Sequence, residues 1–264
     1  MFTDDVVLST DRLCCSVSAG IAHVRLNRPD KLNALDAPMF EALVSTGLQL
    51  TDRSDVSAVV LSGAGRAFCA GLDLTQFEHM QDGTSDVVVL GERLGAARAL
   101  AQKAVHVWSM VPVPVIAAVH GVAFGGGLQI ALGVDIRIVS PDARLSVMEI
   151  RWGLTPDMAG TQLLPELVGR DVAKELTFTG RIVEGADAVS LGLATREAAE
   201  PVTVALELAR EIAGHSRTAL VHAKHLLDLA GRVPLAEGLD AEQQAVAELI
   251  GSDEQRAAIR RCRG

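Results

Sequence analysis

His120-Gly121-Val122-Ala123-Phe124-Gly125-Gly126-Gly127-Leu128-Gln129-Ile130-Ala131 is the stretch on which the reading of this chain turns. It follows an apolar, strand-like run, Pro114 to Val119, and opens a segment with helical character. Three consecutive glycines cost roughly 1 kcal/mol each relative to alanine inside a helix. Such a cost is kept where the backbone needs φ > 0 or where another group must approach it closely. Backbone N–H groups at a helix start have no intrahelical partner and carry the positive end of the helix dipole, which suits an anion or a developing oxyanion. A tight strand-to-helix turn packed on its neighbours is the plainer alternative.

A second segment of the same kind lies upstream. Val56 to Ser62 is a compact apolar run, the pattern of a buried strand, and it leads into Ser62-Gly63-Ala64-Gly65-Arg66-Ala67-Phe68-Cys69-Ala70-Gly71-Leu72-Asp73-Leu74. Further toward the N-terminus, Leu13–Ala19 and Ile21–Asn27 read as a hairpin turning at Gly20. The loop 28–35 follows, and then a helix capped by Asp36 with Pro38 in its first turn and Met39, Leu43, Thr46 and Leu50 along one face. Residues 75–90 are irregular and polar, as in a loop that covers a pocket. Gly91–Ser109 has apolar residues at helical spacing. Strand-like runs return at Val134–Ser140 and Arg144–Val147, and helical patterns run from about Thr161 to Phe178 and around Ala186. Strands that repeatedly feed helices define an α/β class. From Pro201 onward only amphipathic helical patterns occur, over 202–213, 218–230, 235–250 and 253–260. The change in pattern divides the chain into a core, residues 1–195, and a helical segment, 196–264.

The 264 residues are 49% hydrophobic and 22% charged, enough for an ordinary globular core, while only 3% are aromatic and none is tyrosine. The net charge of −9 and a pI near 5.3 argue against a nucleic-acid partner. No apolar run reaches the roughly 18–20 residues of a membrane span. The acidic start, Met1-Phe2-Thr3-Asp4-Asp5, lacks a signal-peptide pattern, so a cytoplasmic location is expected. Cys14, Cys15, Cys69 and Cys262 have no zinc-type spacing and fit a reducing compartment. There is no GxGxxG with its acidic ribose partner and no GxSxG elbow. His222 and His225 lack further candidate ligands, so no metal is expected.

Four motifs in order, Arg28-Pro29…Asn33-Ala34-Leu35, Ser62-Gly63…Gly71-Leu72-Asp73, His120-Gly121…Gly125-Gly126-Gly127 and Glu149…Gly153-Leu154…Pro156-Asp157…Gly160-Thr161, resemble the enoyl-CoA hydratase/isomerase (crotonase) superfamily across nearly the whole chain. The resemblance implies a crotonase (ClpP-like) spiral of repeated ββα units with a C-terminal helical oligomerisation segment, assembled as a homotrimer or a homohexamer. It implies an acyl-CoA substrate, with CoA arriving as part of that substrate, and no separate cofactor. By motif position the oxyanion-hole N–H groups fall on Leu72 and Gly126, and substrate contacts on Asp30, Lys31, Leu32, Ala67, Ala70, Asp73 and Leu74. Asp30 departs from the lysine that some members carry there, and a solvated loop lysine is the alternative reading of Lys31.

The acid–base positions decide the reaction. Family hydratases carry a glutamate where this chain has Gln129, whose amide can orient a water but cannot exchange a proton near neutral pH. The second glutamate is present as Glu149. Asp157 resembles the aspartate of dienoyl-CoA isomerases, and the cap of the following helix is its alternative role. The expected function is therefore hydration or double-bond isomerisation of an unsaturated acyl-CoA. A non-catalytic acyl-CoA-binding homologue is the reading from another class, motivated by Gln129.

Overall fold

The computed structural model describes residues 5–76, 82 and 89–263. Its centre is a seven-stranded sheet built from β1 (Asp5–Ser9), β2 (Leu13–Ser18), β3 (Ile21–Leu26), β4 (Ala58–Gly63), β7 (Val115–Val119), β9 (Ile136–Val139) and β12 (Arg196–Glu197), in that order. The first three strands pair antiparallel and the remainder are parallel. The apolar run of β4 is continuous because both of its faces are buried, as parallel strands require. Val59 and Leu61 enter the main core with Val115, Ala117 and Val119 of β7. Ala58 and Val60 face the other way, with Ile116, Ala118 and Ile138, onto Ala205 and Ala209 of the helix Pro201–Ala213. Alanines on both partners let that helix lie close to the sheet, which compensates for the scarcity of aromatic filling.

A second, three-stranded sheet joins β8 (Val122–Phe124), β10 (Arg144–Ser146) and β11 (Val183–Glu184), with β8 and β10 parallel and β11 antiparallel. β8 lies inside the glycine-rich stretch and delivers the chain to the helix Gly126–Leu132. The helix Ala37–Thr51 is capped as its sequence requires: the Asp36 side chain accepts from Met39 N–H at 3.0 Å, and Met39, Leu43, Thr46 and Leu50 are buried. The C-terminal part is helical, over Arg217–Leu229, Leu235–Leu249 and Asp253–Arg263. The mixed α/β architecture with its C-terminal helices agrees with the fold class that the sequence resemblance implies. Among the described residues no helix is long and apolar enough to cross a membrane.

One expectation from periodicity needs correction. The helix expected over 91–109 starts only at Leu100 and runs to Met110, and the preceding residues form the hairpin β5 (Leu90–Leu94) and β6 (Ala97–Ala99). Buried Ala97 and Ala99 flank exposed Arg98, a period of two within a segment whose apolar residues also fit a helix. The Gln102 side chain then accepts from Arg98 N–H at 3.1 Å and Ala99 N–H at 3.2 Å, satisfying donors at the helix entrance. The helical segments expected from Thr161 to Phe178 are the helices Gly160–Val168 and Arg170–Thr179, separated at Gly169. Of the expected pocket-covering loop 75–90, residues 77–81 and 83–88 lie outside the described residues.

Candidate active site

The two glycine-bearing turns meet at a cavity of about 570 Å³. An isolated parallel bridge joins Leu35 to Leu72. Leu35 donates its N–H to Gly71 O at 2.8 Å and accepts from Asp73 N–H at 2.9 Å. The bridge thus uses the groups that flank Leu72 and leaves Leu72 N–H directed away from Leu35. Gly126 is the first residue of its helix, so its N–H has no intrahelical acceptor. Among the described residues neither N–H has a backbone acceptor, and both residues line the cavity. Gly125, preceding this helix, has φ 51° and ψ −123°, a conformation closed to L side chains. Gly71 permits the approach of the two turns: a Cβ there would sit 2.6 Å from Phe124 O and 3.7 Å from Gly126 N.

The Leu72 segment is pinned from two sides. Asn33 is fully buried; its Nδ2 donates to Ala64 O at 2.9 Å and Ala67 O at 2.8 Å, and its Oδ1 accepts from Arg28 N–H at 2.8 Å. The Arg28 guanidinium bridges Asp36 (3.4 Å) and Asp73 (2.9 Å). Burial opposes ionisation of Asp73, yet the Thr75 N–H and hydroxyl together with Arg28 outweigh it and hold the carboxyl below its ordinary range. The Cys69 thiol is buried and donates to Asn33 O at 3.1 Å; burial pushes its pKa up to about 12, which leaves no thiolate for chemistry.

The acid–base side is carried by the single-turn helix Glu149–Trp152 and the segment leading to Gly160. Glu149 is buried at the cavity wall. Its Oε1 accepts from Gln129 Nε2 at 2.6 Å, and its Oε2 is buried with no partner among the described residues. Desolvation raises the Glu149 pKa and the nearby charge of Asp157 adds to it, against the Gln129 hydrogen bond. Asp157 also lines the cavity and is open to it, and desolvation by the surrounding protein raises its pKa as well. The following helix is entered through Ala159 at φ 68° with no side-chain cap, so Asp157 does not cap it.

Of the residues singled out from sequence, the structure brings Lys31, Ala70, Leu72, Asp73, Leu74, Gly126, Glu149 and Asp157 to one cavity. Asp30 is exposed on the neighbouring turn, and Leu32 and Ala67 spend backbone carbonyls on Ala70 N–H and on Asn33. Neither these three nor Gln129 lines the cavity. Gln129 is fully buried behind Glu149, its amide taken up by protein partners rather than free for a water. Sequence reasoning missed the apolar wall, Phe40, Ala101, Met148, Trp152, Leu154 and Met158. Phe40 and Ala101 come from helices far in sequence from the 148–158 segment that supplies the other four, so no local pattern announces the wall as a whole.

Residues 16–261 match the family model described as enoyl-CoA hydratase/isomerase. The chain belongs to the enoyl-CoA hydratase/isomerase family. Its relatives within this crotonase superfamily include both kinds of enzyme. It is 33% identical over 242 residues to the short-chain-enoyl-CoA hydratase of Clostridium acetobutylicum, covering 90% of this chain and 89% of that protein. It is 31% identical over 250 residues to the peroxisomal Delta(3,5)-Delta(2,4)-dienoyl-CoA isomerase of Arabidopsis thaliana, covering 92% and 90%. The crystal structure of enoyl-CoA hydratase from Bacillus anthracis superposes with a TM-score of 0.84 at 28% identity, covering 94% of this chain and 95% of that one.

Proposed function

We propose that this crotonase-superfamily chain processes unsaturated acyl-CoA thioesters through an enolate, with Leu72 N–H and Gly126 N–H as the oxyanion donors and Glu149 as the proton carrier. One observation carries the reading: two unpaired backbone N–H groups share a mostly apolar cavity with a buried carboxyl of raised pKa. Backbone donors are pre-oriented, so they stabilise charge as it develops without reorganising, each worth about 3–4 kcal/mol in comparable sites. A carboxyl whose pKa is lifted toward neutrality is a better general acid and a stronger base than an ordinary one. The apolar wall takes an unsubstituted acyl chain. Lys31 and Leu74 stand where the CoA portion enters, with Ala70 beside the thioester. CoA arrives as part of the substrate, and no metal or redox cofactor takes part.

Asp157 favours a second outcome on the same site. A second carboxyl of raised pKa on the cavity wall supports a proton shuttle between two carbons of the acyl chain, which is double-bond isomerisation rather than hydration. Product analysis on crotonyl-CoA and a 3,5-dienoyl-CoA separates the two. Turnover of neither, or of any other unsaturated acyl-CoA, with CoA thioesters still bound, refutes the enzymatic reading and leaves a binding protein. We further propose a cytoplasmic homotrimer or homohexamer. The apolar Leu227, Leu235, Leu239, Val246 and Ile250 of the C-terminal helices are exposed in the single chain, which supports burial against a second copy. Sedimentation velocity at micromolar concentration tests this, and a monomer refutes it.

A further inference from the structure

Gln129 stands at a position where a second titratable group would be expected in a hydratase, and its surroundings define what it does instead. Its Oε1 accepts from Met158 N–H and Gly160 N–H, each at 2.9 Å. Those two donors leave one orientation of the amide, with Nε2 aimed at Glu149 Oε1 at 2.6 Å. Gly160 makes room for this: a Cβ there would lie 2.6 Å from Gln129 Oε1. An amide nitrogen only donates, so it occupies Oε1 of Glu149 whatever the pH and favours the ionised form. The remaining oxygen, Oε2, has no partner.

Resting on the reading above, we propose that Gln129 is a positioning residue that locks Glu149 through Oε1 and leaves Oε2 as the one oxygen of that carboxyl free to take a proton. A carboxylate at 129 would accept the same two N–H groups but would contest the negative charge with Glu149, because two carboxyls at hydrogen-bond distance do not both ionise freely. Gln129 keeps the cradle and removes the contest. Asp157, the other titratable group that bears on Glu149, then titrates against one carboxyl rather than a pair.

The test needs no substrate for its first readout. The titration of Glu149 is followed by carbon-13 NMR of glutamate-labelled protein, with the resonance assigned by its absence in Glu149→Gln. In Gln129→Met the donated hydrogen is gone, so the midpoint of Glu149 moves up and the acidic limb of kcat/KM moves up with it. In the same variant kcat falls at least about tenfold while KM changes less than about threefold. An unmoved titration, or a change in KM and stability alone, overturns the proposal. Because methionine also strands two N–H groups, Gln129→Glu is the second variant: it still accepts from Met158 and Gly160. It is expected to give a coupled two-step carboxyl titration whose upper step lies above the wild-type midpoint, and a single wild-type-like step overturns the proposal. Should the wild type turn over no unsaturated acyl-CoA, the functional reading fails while the titration still decides the role of Gln129.

Discussion

Glu149→Gln is the substitution whose consequences the geometry specifies most closely. Glutamine matches glutamate in shape, and its Oε1 can keep accepting from Gln129 Nε2, so the local fold is retained. What disappears is proton exchange at the second terminal atom, the one that has no partner. Removing a general acid–base group costs about 10²–10⁴ in kcat, or about 3–5 kcal/mol of transition-state stabilisation. KM should change little, because the proposed oxyanion donors and the apolar wall are untouched. Stability should move in the opposite direction to activity. Glu149 titrates higher in the folded chain than in the unfolded one. Its ionisation therefore opposes folding: no penalty exists below the unfolded-chain carboxylate range, and stability is lost as pH rises through the raised folded value. Glutamine never ionises, so the stability of the variant relative to wild type increases across that window and levels off above it. Steady-state kinetics on an unsaturated acyl-CoA and urea unfolding at a series of pH values read both effects. A kcat within a few-fold of wild type would refute the role of Glu149, and a pH-independent stability difference would refute the reasoning about its burial.

Asn33→Ala removes three hydrogen bonds of a fully buried side chain and places alanine at φ 56°, an expected loss of about 3–4 kcal/mol by denaturant unfolding. Turnover should also fall, since the segment carrying Leu72 loses its anchor. In Asp157→Asn a negative neighbour of Glu149 is gone, so the acidic limb of kcat/KM should shift to lower pH; an upward shift would contradict the sign of that coupling. Lys224 is buried, with Nζ 2.8 Å from Asp135 Oδ2 and 3.2 Å from Val113 O, and ties the helix Arg217–Leu229 to the edge of β7. Lys224→Met is expected to cost about 2 kcal/mol in thermal or urea unfolding, below the 3–5 of a fully buried pair because Asp135 reaches solvent.

The parts legible in the sequence are those whose physics is local. Asp36 followed by Pro38 announces a helix entrance with no reference to the rest of the molecule. The run Ala58–Gly63 has no polar alternation because both faces are covered, and that too is written in consecutive residues. Gly125 marks a backbone forced into a region closed to side chains, and Gly126 and Gly127 mark places where a Cβ would meet Met158 and Cys69. The hairpin over 90–99 escaped because short runs of small and apolar residues satisfy both periods, and Gln102 decides between them from outside the strand pair. The cavity wall escaped for a different reason. Phe40, Ala101 and the segment from Met148 to Leu154 are separated by dozens of residues, and only tertiary packing makes them neighbours. Gln129 was visible as a substitution, but its role depends on two backbone donors near residue 160.

The site is thus supported by two networks that share no side chain. One runs from Arg28 and Asn33 to the turn carrying Leu72 and consists of amide bonds and an ion pair whose carboxyl, Asp73, is held below its ordinary range. The other runs from the residue 158–160 backbone through Gln129 to Glu149 and ends on a titrating oxygen. An enolate needs its charge held in one place while its proton is moved at another, and the two demands conflict if one network serves both. Strengthening a donor to an acid–base group lowers its proton affinity, whereas strengthening a donor to an oxyanion only deepens the well in which the intermediate sits. Separate supports allow each to be set independently. The holding side can then stay constant while the residues at 129 and 157 set how the Glu149 carboxyl exchanges its proton.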